Sequence, residues 1–145
     1  MHGRCCHLFV TMENQDNKSG RPWAGYIVSG LPASFLLFDA LGKFVKPAAV
    51  VEGTLALGYP EGVILPLGIV LLISTLLYLV PQTSVLGAIL LTGYLGGAVA
   101  THVRVGNPLL THTLFPVYLG VLAWLGLYLR DVRIRALVPL RKSVV

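Results

Sequence analysis

The sequence predicts an all-α integral membrane protein: a four-helix bundle with a short interfacial helix between the first and second spans. Of its 145 residues, 55% are hydrophobic and only 12% are charged, whereas soluble domains carry about a quarter charged residues. No Asp, Glu, Lys or Arg lies between Gly62 and Val103. An apolar run of about 18 residues already indicates a membrane span, and this one is much longer. The apolar content also excludes a disordered chain.

Four apolar runs have the length of a membrane crossing, which takes about 20 helical residues. The first contains Pro32 and ends just beyond Asp39. Pro81 separates the second run from the third, because proline disfavours helix at the residue before it. Gly106-Asn107-Pro108 separates the third from the fourth. The predicted spans are 22–42, 62–80, 84–103 and 109–130.

The segment between the first two spans is too short for a further crossing. Pro47 suits the first position of a helix, and Gly58-Tyr59-Pro60 would end it. We predict a short interfacial helix over residues 47–58, and a re-entrant helix or an irregular connector is the alternative.

Polar segments flank the membrane domain, which we place at residues 22–140. Residues 1–21 are predicted to form a disordered cytoplasmic N-terminus, and residues 141–145 form a basic tail. A second methionine, Met12, leads to the hypothesis that translation begins there. A native product whose intact mass includes the preceding residues would exclude that hypothesis.

Positive charges predict the orientation in a bacterial cytoplasmic (inner) membrane. Placing both termini on one side gathers eight of the 11 Lys and Arg residues there, namely Arg4, Lys18, Arg21, Arg130, Arg133, Arg135, Arg141 and Lys142. The other side keeps Lys43, Lys46 and Arg104. Cytoplasmic loops carry the excess of positive charge, so we predict that both termini are cytoplasmic. The net charge of +5 then reflects topology and contact with anionic lipid, and no nucleic-acid partner is expected.

Five polar residues are predicted to lie near the opposite membrane face. Asp39 and Lys43 have the i, i+4 spacing that allows a salt bridge on one helical face. His102 and Arg104 end the third span, and His112 begins the fourth. One interpretation is a lock between helices, in which Asp39 pairs with Arg104 or His102. The other is a small acid–histidine site at the mouth of a bundle cavity, which would bind a quinone head group or transfer a proton.

Small residues recur along the third span, at Gly93, Gly96, Gly97 and Ala100. Helices in lipid associate through close backbone approach, and Gly93 and Gly97 form a GxxxG pair. We therefore predict that this helix packs at the centre of the bundle. Space for a flat cofactor or a lipid tail is one alternative, and homodimerisation through the GxxxG pair is another.

No catalytic signature is present, so no catalytic residue is predicted. Ser-His-Asp, P-loop, Rossmann and paired-carboxylate patterns are all missing from the sequence. No metal ligands are predicted, because the histidines and Asp39 lack the local spacing of a zinc site. Haem ligation by His102 and His112 is disfavoured, since both lie near one face and no CxxCH motif is present. Cys5 and Cys6 are adjacent, unlike the CxxC of thiol oxidoreductases.

The segment GYLGGAVATHVR, from Gly93 to Arg104, resembles the DoxX-like family of small bacterial membrane proteins. The resemblance extends over residues 22–140 and includes FLLFDALGKFVKPAAVVEGTLALGYPEG near the first span. It implies a four-helix membrane bundle and a link to sulfur and quinone redox systems in the wider group. Many members carry a Glu in the second span, where this sequence has Leu71. A proton or quinone function that depends on that carboxylate is therefore not expected here.

The leading functional interpretation is an accessory or structural membrane subunit without a cofactor. Its partners would be the lipid bilayer and either a second copy of the chain or another membrane protein. The alternative is a redox-associated subunit that binds quinone or passes electrons and protons. Any enzymatic activity would then be associated with an oxidoreductase.

Overall fold

The computed structural model describes residues 22–131 and 134–135, and this part of the chain contains helices and no strands. The all-α prediction is therefore confirmed. Several predictions concern residues outside the described ranges and are not addressed by the structure: the disordered segment 1–21 with its adjacent cysteines, the start at Met12, and the basic tail 141–145.

Five α-helices lie within residues 22–131: α1 (Pro22–Val45), α2 (Ala48–Ala56), α3 (Ile64–Leu79), α4 (Ser84–Val105) and α5 (Phe115–Arg130). A 3₁₀ turn, Glu61–Val63, leads into α3, and a π-helical turn, Leu109–Thr113, precedes α5. Four stretches are long and apolar enough to cross a bilayer, namely Trp23–Val45, Glu61–Leu79, Ser84–Val105 and Leu109–Arg130. The predicted number of spans is confirmed, and so is the short helix between the first and second.

Proline and glycine set several helix boundaries. Pro47 immediately precedes α2, and Pro108 immediately precedes the π-helical turn. Gly58 and Gly106 adopt the left-handed conformation, with φ of 79° and 74°, where an L side chain would be strained. Gly106 is the C-cap of α4, and its amide donates to the Val103 carbonyl.

The four long helices form a bundle in which α1 packs against α3 and α5, and α4 packs against the same two helices. The buried core contains small side chains from α1, α4 and α5, together with larger apolar ones. Leu71, Tyr78 and Leu127 are all 0% exposed. Large apolar residues cover the outside of the bundle, as in Phe38, which is 77% exposed. This outward apolar surface is the one expected to contact lipid.

Two ends of the bundle are distinguished below. The α2 end comprises α2, the last turns of α1 and α4, and the first turns of α3 and α5. The Arg130 end comprises the first turns of α1 and α4 and the last turns of α3 and α5. Because the chain crosses four times, the segments that precede α1 and follow α5 both leave from the Arg130 end.

Candidate functional site

An ion pair joins Asp39 and Lys43 in the last two turns of α1. Lys43 Nζ lies 2.6 Å from Asp39 Oδ2, across the i, i+4 spacing that the sequence shows. The Lys43 side chain is 13% exposed, whereas that of Asp39 is 38% exposed. The Lys43 stem packs over Gly68 of α3, so the pair lies at the α1–α3 contact.

Tyr94 of α4 is partly buried and packs against the apolar core of the bundle. Two hydroxyls of α3 donate within their own helix. Ser74 and Thr75 donate to the Val70 and Leu71 carbonyls, at 2.7 and 2.8 Å.

Arg104, in the last turn of α4, connects this helix to the α2 segment. Its Nη2 donates to the Leu57 carbonyl at 2.8 Å, and its guanidinium lies 5.7 Å from the Tyr59 ring centroid. The Tyr59 hydroxyl is 2.8 Å from Thr101 Oγ1, one turn earlier on α4. These contacts fix the connection after α2 against α4. Sequence reasoning missed them, because a backbone carbonyl has no sequence signature.

His102 and His112 do come together at the α2 end, with ring centroids 6.2 Å apart and an interplanar angle of 56°. His102 Nδ1 lies 2.8 Å from the Asn107 amide nitrogen, and His112 Nδ1 lies 2.9 Å from Thr111 Oγ1. Each imidazole thus has a polar partner close in sequence. Within the described part of the chain, neither His102 nor Arg104 pairs with Asp39, so the structure does not contain the predicted inter-helix lock.

The five polar residues therefore form two separate groups rather than one constellation. Asp39 and Lys43 pair on α1, while the partners of Arg104 and the two histidines lie just after α2, in the turn after α4 and in the π-helical turn. No group of three or more His, Cys, Asp or Glu residues is arranged to hold a metal ion among residues 22–131 and 134–135.

The small residues of α4 face away from the bundle, contrary to the prediction of central packing. Gly93, Gly96, Gly97 and Ala100 are all exposed. A Cβ built at any of the three glycines would have no neighbour within 4 Å. We name this exposed row of four residues the small face of α4.

The close helix contacts occur at other small residues. A Cβ on Gly25 of α1 would lie 2.9 Å from the Arg130 backbone nitrogen, and one on Gly126 of α5 would lie 2.7 Å from the Ser29 nitrogen. Gly25, Ser29 and Ala33 recur every four residues, and all three are buried. This small-xxx-small spacing is the signal that could have identified the α1–α5 contact from sequence.

An apolar groove runs along the outside of the bundle between α4 and α5, with a volume of about 600 Å³. Leu95, Val99, Gly120 and Val121 lie along it. Trp124 bridges the two helices, donating from Nε1 to Thr92 Oγ1 at 2.8 Å. The groove therefore opens to the surface that faces lipid and has an apolar lining.

The sequence profile of the DoxX-like family matches residues 27–126, which is more than half of the chain. Neither curated proteins nor solved structures gave a match. Leu71, the residue at which many members of the family carry a Glu, is fully buried and belongs to the apolar core.

Proposed function

Since the chain belongs to the DoxX-like family, we propose that it is an accessory membrane subunit that acts by packing with a partner helix and with lipid. The observation that carries this proposal is the pairing of the polar residues at the α2 end. Asp39 pairs with Lys43, Arg104 with the Leu57 carbonyl, and His102 with Asn107. Polar groups that already have partners within the chain contribute to its stability, which supports a structural role for this end of the bundle.

We place the protein in the bacterial cytoplasmic membrane with the Arg130 end on the cytoplasmic side. Eight of the 11 Lys and Arg residues belong to the segments that begin or end there, which agrees with the positive-inside bias. A C-terminal reporter that is active only in the cytoplasm tests this orientation, and an inactive, correctly inserted fusion would reverse it.

The stabilising role predicts that Asp39→Asn lowers the free energy of unfolding by about 1–3 kcal/mol. Lys43, whose side chain is 13% exposed, would lose its counter-charge, while the 38% exposure of Asp39 keeps the cost below that of a fully buried pair. His102→Ala should cost about 1 kcal/mol through its contact with Asn107. Thermal unfolding in detergent measures both, as a lower melting temperature.

Glu52→Gln is the matched control, because Glu52 is an exposed carboxylate on α2 and its replacement should leave the melting temperature unchanged. Native mass spectrometry of the same samples reads any retained small molecule. The stabilising role would be rejected in favour of a redox site if Asp39→Asn or His102→Ala kept the wild-type melting temperature but lost a quinone that the wild type retains.

A redox-associated subunit that binds quinone is the second candidate function, and the groove between α4 and α5 favours it. An apolar groove of about 600 Å³ could take the isoprenoid tail of a quinone. Val99 in the groove lies one helical turn from His102, which would be the head-group contact. Wild-type protein that carries only phospholipid after release from nanodiscs would count against this candidate.

For the partner, we propose a second copy of the chain contacting the small face of α4. Exposed glycines let two backbones approach closely in lipid, and two-fold dimers are the commonest oligomers.

Gly93→Leu is expected to convert a dimer into a monomer, as measured by native mass spectrometry of protein released from nanodiscs. Gly30→Leu is the control, because a Cβ at Gly30 of α1 also has no neighbour within 4 Å. A monomeric wild type, or a Gly93→Leu variant that stays dimeric, would contradict this contact.

A further inference from the structure

A polar cavity of about 300 Å³ lies at the Arg130 end, away from the residues discussed above. It is lined by Tyr26, Pro81, Gln82, Ser84, Arg130 and Asp131, which come from α1, the α3–α4 turn and the end of α5. Because these residues begin or end membrane-spanning helices, the cavity lies where lipid head groups are expected.

Arg130 is held in a fixed position beside this cavity. Its Nη2 donates to the Tyr78 carbonyl at 2.9 Å. Its guanidinium lies 4.9 Å from the Tyr78 ring centroid and 5.7 Å from that of Tyr26. A guanidinium has five N–H donors, and the Tyr78 carbonyl is its only acceptor among the described residues. Several donors of an oriented, charged group therefore stay available to a ligand.

The other lining residues add both donors and one negative charge. Gln82 is exposed and brings an amide, and Tyr26 brings a phenolic hydroxyl. Ser84 uses its hydroxyl proton on the Pro81 carbonyl, at 3.1 Å. Asp131 also lines the cavity and is engaged in an interaction of its own. Arg135, which donates to the Tyr128 and Leu129 carbonyls near the end of α5, adds a second described positive charge at this end of the bundle, and positive charge favours an anion.

We propose that this cavity binds the phosphate of an anionic membrane phospholipid, with Arg130 as the principal donor. Arginine binds phosphate through paired N–H bonds, and basic pockets between membrane helices on the cytoplasmic side suit anionic head groups. The tyrosine rings and the Tyr78 carbonyl hold the guanidinium before the lipid arrives, so little side-chain freedom is lost on binding. The lipid itself is already at the level of the cavity.

The test uses the full chain in nanodiscs made from equal parts of phosphatidylglycerol and phosphatidylcholine. Native mass spectrometry counts the lipids that each chain retains on release. We expect wild-type protein to retain phosphatidylglycerol in preference to phosphatidylcholine, and Arg130→Gln to lower that retention about ten-fold or more. Inorganic phosphate at millimolar concentration should not displace the lipid.

Arg104→Gln is the matched control, because Arg104 also donates to one backbone carbonyl and lies beside one tyrosine ring, but at the α2 end. It should retain phosphatidylglycerol as the wild type does. If Arg130→Gln does not fold, Arg130→Lys and Gln82→Ala take its place, and each should lower retention several-fold. The proposal would be overturned if the wild type retained the two lipids equally, or if inorganic phosphate displaced the lipid. It would also be overturned if Arg104→Gln lost as much phosphatidylglycerol as Arg130→Gln, or if the cavity variants retained as much as the wild type.

Discussion

Replacing Gly87 of α4 with alanine is expected to lower the free energy of unfolding by at least about 3 kcal/mol, the upper end of the usual cost of over-packing. A Cβ at this position would lie 2.5 Å from Tyr78 Cα and 2.6 Å from the Leu77 carbonyl carbon. Both atoms belong to the backbone of α3, which has no rotamer by which to move aside. The two helices would have to separate where α3 and α4 meet near their connecting turn.

Gly93→Ala is the control for this prediction, because it makes the same chemical change on the same helix. A Cβ at Gly93 has no neighbour within 4 Å in its own chain, so in the monomer only the helix propensity changes, by about 1 kcal/mol in favour of alanine. Unfolding in mixed micelles, followed by circular dichroism, should therefore separate the two variants. If Gly87→Ala and Gly93→Ala were equally stable, the prediction that the α3 backbone leaves no room for a Cβ at Gly87 would be wrong.

The spans could be predicted because their causes are local in sequence. Bilayer thickness sets the length of each apolar run, and Pro81 and the Gly106-Asn107-Pro108 segment fall between helices. The same holds for the Asp39–Lys43 pair, whose i, i+4 spacing is a property of one helix. No knowledge of the neighbouring helices was needed for any of these features.

The inward face of α4 could not be predicted, because hydrophobicity does not distinguish inside from outside in a lipid environment. Leucine faces lipid and core alike, so the sequence of an embedded helix has no clear polar side. The GxxxG pattern at Gly93 and Gly97 indicates a close approach but does not identify the partner. Within the chain that approach occurs at Gly87, on a different face of the same helix.

The contacts of Arg104 could not be predicted for a related reason. Its acceptor is the backbone carbonyl of Leu57, which is 47 residues away in the sequence and carries no side-chain signal. The prediction paired the charges with one another, yet Asp39 was already satisfied by Lys43. In a chain with few charges, backbone carbonyls at helix ends compete effectively for an arginine, because several of them lack partners within their own helix.

Tyr78→Ala is expected to cost about 3–5 kcal/mol of unfolding free energy, the range for truncating a large buried aromatic side chain. The Tyr78 side chain is fully buried, and its hydroxyl donates to the Ala123 carbonyl of α5 at 2.8 Å. Its ring also faces the Arg130 guanidinium, so removing it leaves both a cavity and a carbonyl without its donor.

Two further variants separate these contributions. Tyr78→Phe keeps the ring and removes only the hydroxyl, so it should cost about 1 kcal/mol. Tyr118→Ala, at a position of α5 that is 50% exposed, controls for the loss of an aromatic ring and should change stability far less than Tyr78→Ala. A Tyr78→Phe cost as large as that of Tyr78→Ala would place the stabilisation in the hydrogen bond to Ala123. A Tyr118→Ala cost of the same size would mean that losing any aromatic ring destabilises the protein in detergent, and that the cost of Tyr78→Ala does not report the packing between α3 and α5.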